Sequence, residues 1–285
     1  MKKAMLIAMV LCVSVVLSAD YFYNDDLVKR AKAGDAEAQN DLGLCYEYGR
    51  AVEQDYSEAA KWYRKAADQG HAWGQNNIGL CYEMGRGVPQ SYIDAVKWYR
   101  RAADKGLDEA QNNLAICYDN GTGVEQDYSE AAKWYRKAAD QGHMLAQYNL
   151  GLCYTNGEGL AQDYREAVKW YRLAADQGYA SAQFNLGVSY ANGEGVVQDY
   201  REAVKWYRLA ADQGHAKAQR RLGLCYSVGK GVAQDFGEAY FWFLLAAANS
   251  AEDAQKFRDM AAEELTPQRC EQIQARATKW FEEHQ

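Results

Sequence analysis

The sequence predicts an all-α solenoid of stacked helix pairs, and three observations predict it. Trp62, Trp98, Trp134, Trp170, Trp206 and Trp242 follow one another at a constant step of 36 residues, without insertion or deletion. The same step relates Gln39, Gln75, Gln111, Gln147, Gln183 and Gln219, and also Tyr46, Tyr82, Tyr118, Tyr154, Tyr190 and Tyr226. A fixed period of this length marks a repeat architecture in which each unit buries its apolar face only against its neighbours. Apolar residues within a unit fall at helical spacing, and 285 residues contain only 2 prolines to interrupt helices.

The elements follow in order. Residues 1–19 read as a secretory signal peptide: Lys2 and Lys3 precede an apolar run from Ala4 to Leu17, and Leu17-Ser18-Ala19 suits cleavage. That run is shorter than the ~20 residues that span a bilayer, and no later segment reads as transmembrane. Asp20 stands where a lipoprotein would carry its acylated cysteine, so an unanchored, periplasmic or secreted protein is expected. Residues 20–250 hold the six units and, ahead of them, a lone second helix at Asp25 to Ala33.

The third unit serves as the pattern. Leu114, Cys117 and Tyr118 share one face of a first helix, A, over roughly residues 108–119. Gly121 supplies the left-handed residue that ends it. Asp127 and Glu130 form a capping box for helix B, roughly residues 128–141, expected to bury Tyr128, Ala131, Tyr135 and Ala138. Small residues such as Ala59, Ala66 and Ala67 allow close helix approach. Some copies are verbatim: Val52 to His71 recurs as Val124 to His143, and Asp163 to Gly178 as Asp199 to Gly214. Beyond residue 250 the period breaks into two capping segments, Glu252 to Leu265 and Pro267 to Glu283, with Trp280 and Phe281 placed to cover the last unit.

Composition excludes other classes. With 13% aromatic residues the chain is not disordered, and a net charge of −7 does not suit phosphate binding along a nucleic acid. Removal of the signal makes the balance more negative: 32 basic residues less Lys2 and Lys3, against 39 acidic residues, give −9.

The pattern Ala-x-x-Asn-Leu-Gly-x-x-Tyr, Gly-x-Gly-Val-x-Gln-Asp-Tyr and Ala-x-x-Trp-Tyr-x-x-Ala-Ala-x-x-Gly resembles the Sel1-like repeat over residues from about 25 to 250. The sixth copy loosens it, with Arg221 for Asn and Phe236 and Phe243 for Tyr. This family is similar to tetratricopeptide repeats. The resemblance implies a right-handed solenoid that serves as a protein-binding scaffold in bacterial envelope, secretion or host-interaction settings. A cysteine-rich subgroup staples each helix pair and includes members linked to β-lactams. This sequence departs from it, holding Ala67 and Gln75, Ala103 and Gln111, Ala139 and Gln147, and Ala175 and Gln183 at the stapling positions.

The other chemistry-bearing residues read as framework. Cys45, Cys81, Cys117, Cys153 and Cys225 sit one helix-pair step apart, about 9 to 10 Å, beyond the ~7 Å Cα separation of a disulfide. They read as packing residues, while Cys270 lies apart from them. His71, His143 and His215 recur at matched turns about 20 Å apart and cannot share a metal. Ser227-Val228-Gly229-Lys230 matches Ser-x-x-Lys, yet no Ser-Asp-Asn or Lys-Thr-Gly accompanies it. No catalytic residue, cofactor or metal is expected.

Function is then sought where the copies differ. By resemblance to tetratricopeptide repeats, helix A lines a concave groove. The position after the repeated glutamine reads Asn40, Asn76, Asn112, Tyr148, Phe184 and Arg220; three residues before stand Glu37, Trp73, Glu109, Leu145, Ser181 and Lys217. Seven residues after come Glu47, Glu83, Asp119, Thr155, Ala191 and Ser227. This series predicts a surface that starts acidic with amides, turns aromatic and ends basic at Lys217, Arg220 and Arg221. Trp73, Asn76, Asn112, Tyr148, Phe184, Arg220 and Arg221 are the expected partner-binding residues, the partner being a protein or peptide of the envelope or outside the cell. The alternative is a periplasmic protein acting on β-lactams or peptidoglycan fragments.

Overall fold

The computed structural model describes residues 23–251 and 253–284; the signal sequence read at residues 1–19 lies outside them. Among the described residues there are fifteen helices and no strand. They divide into two compact units, the first ending at Asp127 and the second running from Tyr128 to Gln285. The first holds α1 (Asp25–Ala33), α2 (Ala36–Tyr48), α3 (Tyr56–Asp68), α4 (Ala72–Met84), α5 (Tyr92–Ala103) and α6 (Asp108–Asn120). The second holds α7 (Tyr128–Asp140), α8 (Met144–Asn156), α9 (Tyr164–Asp176), α10 (Ala180–Asn192), α11 (Tyr200–Asp212) and α12 (Ala216–Val228). It continues with α13 (Phe236–Ala248), α14 (Ala254–Glu263) and α15 (Pro267–Glu283). The boundary falls inside the third repeat, between its helix A and its helix B.

Local chemistry sets the helix ends. Asp55 Oδ1 accepts from the amides of Ser57 at 2.8 Å and Glu58 at 3.0 Å, satisfying two donors that the first turn leaves unpaired. Gly49 closes α2 in the left-handed region at φ 65°. The second glycine of each Gly-x-Gly turn has a further constraint. Gly87 combines φ 70° with such close approach that a Cβ would overlap the Tyr56 carbonyl of the repeat before it. The first repeat carries Ala51 there, at φ 55°.

Packing within a repeat is set by a glycine under an aromatic ring. A Cβ on Gly43 would meet Tyr63 at 2.6 Å, one on Gly151 would meet Tyr171 at 2.6 Å, and one on Gly223 would meet Phe243 at 2.6 Å. Helix B buries its alanines and its second aromatic, Tyr63, Tyr99, Tyr135, Tyr171 and Tyr207. Tyr128, expected in the interior, is instead 38% exposed, because the first residue of helix B precedes the turn that packs.

Polar ladders tie each repeat to the next. The framework glutamine reaches back to helix B of the preceding repeat: Gln75 Nε2 donates to the Ala67 carbonyl at 3.2 Å, and Gln183 Nε2 to that of Ala175 at 3.2 Å. The positions that a stapled relative would bridge are therefore adjacent here, joined by a hydrogen bond. A second ladder runs through arginine. Arg64 donates to the Tyr82 hydroxyl and lies 4.9 Å from the Trp98 ring; Arg208 donates to Tyr226 and lies 5.5 Å from Trp242.

The second unit ends in a cap. Phe241, Trp242, Phe243 and Leu245 of α13 are all buried, and Ile273 and Ala277 of α15 join their cluster. Trp280 and Phe281 pack against it as expected. Gln274 Nε2 donates to the Tyr240 hydroxyl at 2.8 Å, and Arg276 pairs with Glu238. Thr266 caps α15 and Pro267 occupies its first turn.

Candidate functional site

In each helix A four positions stay accessible on one line, at i, i+4, i+7 and i+11. In the first unit they are Glu37, Asp41, Leu44 and Tyr48 of α2, then Trp73, Asn77, Leu80 and Met84 of α4. α6 follows with Glu109, Asn113, Ile116 and Asn120. In the second unit they are Leu145, Asn149, Leu152 and Asn156 of α8, Ser181, Asn185, Val188 and Asn192 of α10, and Lys217, Arg221, Leu224 and Val228 of α12. These spacings share one helical face.

Trp73, 43% exposed, and Arg221, also exposed, lie on this line as expected. Asn76 and Asn112 do not: they are 1% and 2% exposed, and Asn76 is turned toward the next repeat. Asn76 Oδ1 accepts from Asn113 Nδ2 at 3.0 Å, as Asn40 Oδ1 accepts from Asn77 Nδ2 at 2.9 Å. The expectation that Asn76 and Asn112 present amides to a partner is corrected accordingly; the accessible amides are one residue further on, at Asn77 and Asn113.

In the second unit aromatics take over the same buried side. Tyr148 is half-buried, 5.0 Å from Tyr179 in an edge-on contact, and Phe184 is stacked on His215 at 4.9 Å. Asn185 interacts with the phenols of Tyr148 and Tyr171. Tyr148 and Phe184 thus join neighbouring repeats first and face solvent second. Arg220 occupies the corresponding place in α12 and is half-buried.

The acidic series is also turned inward. Tyr63 donates to Glu47 Oε2 at 2.6 Å, and Tyr99 donates to Glu83. Asp41 shares the accessible line of α2 with Glu37, and burial pushes the Asp41 carboxyl up to about 6.

The histidines are helix caps: Nδ1 of His71, His143 and His215 accepts from Gly74, Ala146 and Ala218 at 3.1, 3.2 and 3.2 Å. Burial lowers His71 and takes His215 down to about 4. Among the described residues no three His, Cys, Asp or Glu side chains are placed to hold a metal. Cys45, Cys81, Cys117 and Cys153 are buried, and burial pushes the Cys81 and Cys117 thiols up to about 12, out of reach of thiolate chemistry. Ser227 donates to the Leu224 carbonyl at 3.0 Å while Lys230 lies 3.9 Å from the Tyr200 ring, so the two form no nucleophile and base pair. No described helix is long and apolar enough to cross a membrane.

The outer face of helix B differs in kind. Lys61, Lys97 and Lys133 are neutralised within the helix, by Glu58 at 2.6 Å, Asp94 at 2.8 Å and Glu130 at 2.7 Å, while Lys65 and Lys137 lie over the rings of Trp62 and Trp134. The accessible line of helix A, by contrast, changes from copy to copy at its first and last positions, from Glu37 through Trp73 to Lys217 and from Tyr48 through Asn120 to Val228.

The sequence profile of the Sel1 repeat matches residues 36–71, 74–107, 108–143, 145–179, 180–215 and 216–250. The structure is similar to c5321, a protective antigen present in uropathogenic Escherichia coli strains and displaying an SLR fold. The two share 35% identity over 92% of this chain, with a TM-score of 0.83. The chain spans 56% of that antigen's length. It is similar also to a Sel1 repeat protein from Oxalobacter formigenes, at 32% identity and a TM-score of 0.68 over 78% of this chain and 95% of the other. No curated protein matches the chain.

Proposed function

We infer the role of this chain from its family: it belongs to the Sel1 repeat family, whose fold is a scaffold typical of protein–protein interaction, and we propose that it binds a protein or peptide partner without catalysing a reaction. The observation that carries this reading is the accessible line of helix A in each unit. Its first position (Glu37, Trp73, Glu109, Leu145, Ser181, Lys217) and its last (Tyr48, Met84, Asn120, Asn156, Asn192, Val228) change character along the copies, whereas the framework tryptophan, glutamine and alanines stay constant and are explained by packing. A surface held by repeat stacking is preformed, so binding orders little of it and loses little entropy. The partner-facing residues are Trp73 and Asn77 in the first unit and Asn149, Asn185 and Arg221 in the second.

Export is part of the proposal. Lys2, Lys3 and the apolar run to Leu17 support a location in the periplasm or outside the cell, and the uropathogenic E. coli relative, a protective antigen, is consistent with it. Affinity capture from cells with quantitative mass spectrometry tests the reading. A partner held by the unaltered chain and by a Lys61→Glu variant on helix B should be lost from Trp73→Ala or Val228→Asp on helix A. Retention by both helix-A variants would overturn it.

A further inference from the structure

The inter-repeat ladder fails between α10 and α12, and the failure there leaves a cationic cluster on the accessible line. Asn77 donates to Asn40, Asn113 donates to Asn76, and Asn185 is set against Tyr148 and Tyr171. One period further the donor is Arg221, and the residue it would reach back to is Phe184, which has no acceptor and is stacked on His215. Phe257, one period beyond Arg221, is likewise committed to a stack on Phe243 at 5.5 Å and offers Arg220 no acceptor. Two independent residue changes, an acceptor lost and a cation gained, thus coincide at one step.

The cluster is unfavourable for folding. Lys217, Arg220 and Arg221 lie at i, i+3 and i+4 on α12, so like charges face one another. Lys217 is in the first turn, where the helix dipole favours anions, and α2 and α6 carry acids there. Lys169 and Lys205 on the helix-B faces of this unit are neutralised by Glu166 and Glu202 at i,i+3, but none of these three side chains makes a hydrogen bond or ion pair with any described residue. Beside them on the same line stand the amide of Asn185 and the aliphatic side chains of Val188 and Leu224.

We propose that the α12 end of this surface binds an acidic peptide segment of a partner protein, its Asp and Glu carboxylates held by Lys217, Arg220 and Arg221 and its apolar side chains lying on Val188 and Leu224. Arginine offers a carboxylate two parallel donors, and three cations match several carboxylates better than one. A nucleic acid needs a far longer basic track than one turn and a half of helix. This inference rests on the helix-A reading above and names the chemistry of its partner.

Selection of random dodecapeptides displayed at the amino terminus of a phage coat protein, which leaves no free carboxyl terminus, tests it. The unaltered chain should recover peptides enriched in Asp and Glu with interspersed aliphatic residues. Labelled copies should bind Arg220→Gln/Arg221→Gln about tenfold or more weakly, Arg221→Lys intermediately and Lys205→Gln unchanged. Exposed Lys217→Gln gives a second, packing-neutral variant. Recovered peptides without acidic enrichment, or acidic peptides that bind the double variant equally, would overturn this inference. They would leave the helix-A reading intact if Val228→Asp still weakens them. Recovery of no peptide would overturn both. A salt-sensitive dimer of the chain alone that Arg221→Gln abolishes would make the occupant a second copy, and also overturn it.

Discussion

Tyr63 and Glu47 form a hydrogen bond of 2.6 Å between the two helices of the first repeat, the phenol donating to Oε2 from a fully buried ring. The carboxylate is held also by Arg86 of the next repeat at 3.7 Å. Burial and the adjacent carboxylate keep the phenol protonated well above its ordinary range, so the bond persists at any physiological pH. Later repeats relax the pair: Thr155 and Tyr171 hydroxyls meet at 2.8 Å, and the sixth repeat has Phe243 opposite Ser227.

Tyr63→Phe keeps the ring on Gly43 and removes only the donor, so it should cost about 1 to 2 kcal/mol. Glu47→Ala should cost about as much or more, because it leaves a buried hydroxyl without its acceptor. Urea denaturation of both single variants and the double should give a coupling energy above about 0.5 kcal/mol. Additive losses would mean that Glu47 acts mainly toward Arg86 or solvent.

The period made the repeat fold readable from sequence, since framework tryptophan, glutamine, glycine and alanine have one packing role in every copy. The accessible face was not readable in the same way. Asn76 and Asn77 are sequence neighbours, but one residue turns a helix by about 100°, enough to put one side chain between repeats and the other in solvent. Which of the two faces inward depends on how successive repeats pack, and no single repeat encodes that. A signal was present: Trp73, Asn77, Leu80 and Met84 follow i, i+4, i+7 and i+11, and Asn recurs at 77, 113, 149 and 185. Arg221 was identified because it breaks that series. Glu47 and Glu83 misled because an acid on a surface helix reads as exposed until a buried tyrosine from the partner helix is placed against it.

His215 makes stability depend on pH through its cap. Its Nδ1 must be unprotonated to accept from Ala218, and burial, with Lys217 beside it, holds the folded-state value near about 4. In the unfolded chain the imidazole takes its proton near about 6.5. Between these values the unfolded chain binds more protons, so stability is complete above about 6.5 and falls as pH drops toward about 4. His215→Asn keeps an N-cap acceptor without a titrating group. The two proteins should differ little near neutral pH, and the variant should gain on the order of 2 kcal/mol near pH 4.5. Parallel denaturation midpoints across that window would refute this assignment.

Lys105 marks a gap in the glutamine ladder. Elsewhere the residue after helix B donates to the framework glutamine of its own repeat, 30 residues back: Gln69 to Gln39 at 2.7 Å, Gln177 to Gln147 at 2.8 Å, Gln213 to Gln183 at 2.8 Å. Gln177 reaches the turn carbonyl of Gly142 as well, at 3.1 Å. Lys105 makes only the second contact, to Gly70, and the buried Oε1 of Gln75 is left without a partner. An unsatisfied buried acceptor costs more than a made hydrogen bond contributes, so Lys105→Gln should raise stability by about 1 kcal/mol. The urea midpoint should rise with the slope unchanged. Lys105→Ala should not reproduce the gain, since it supplies no donor to Gln75 and loses the bond to Gly70. An equal gain from alanine would show that the lysine charge, and not the missing donor, is what destabilises this turn.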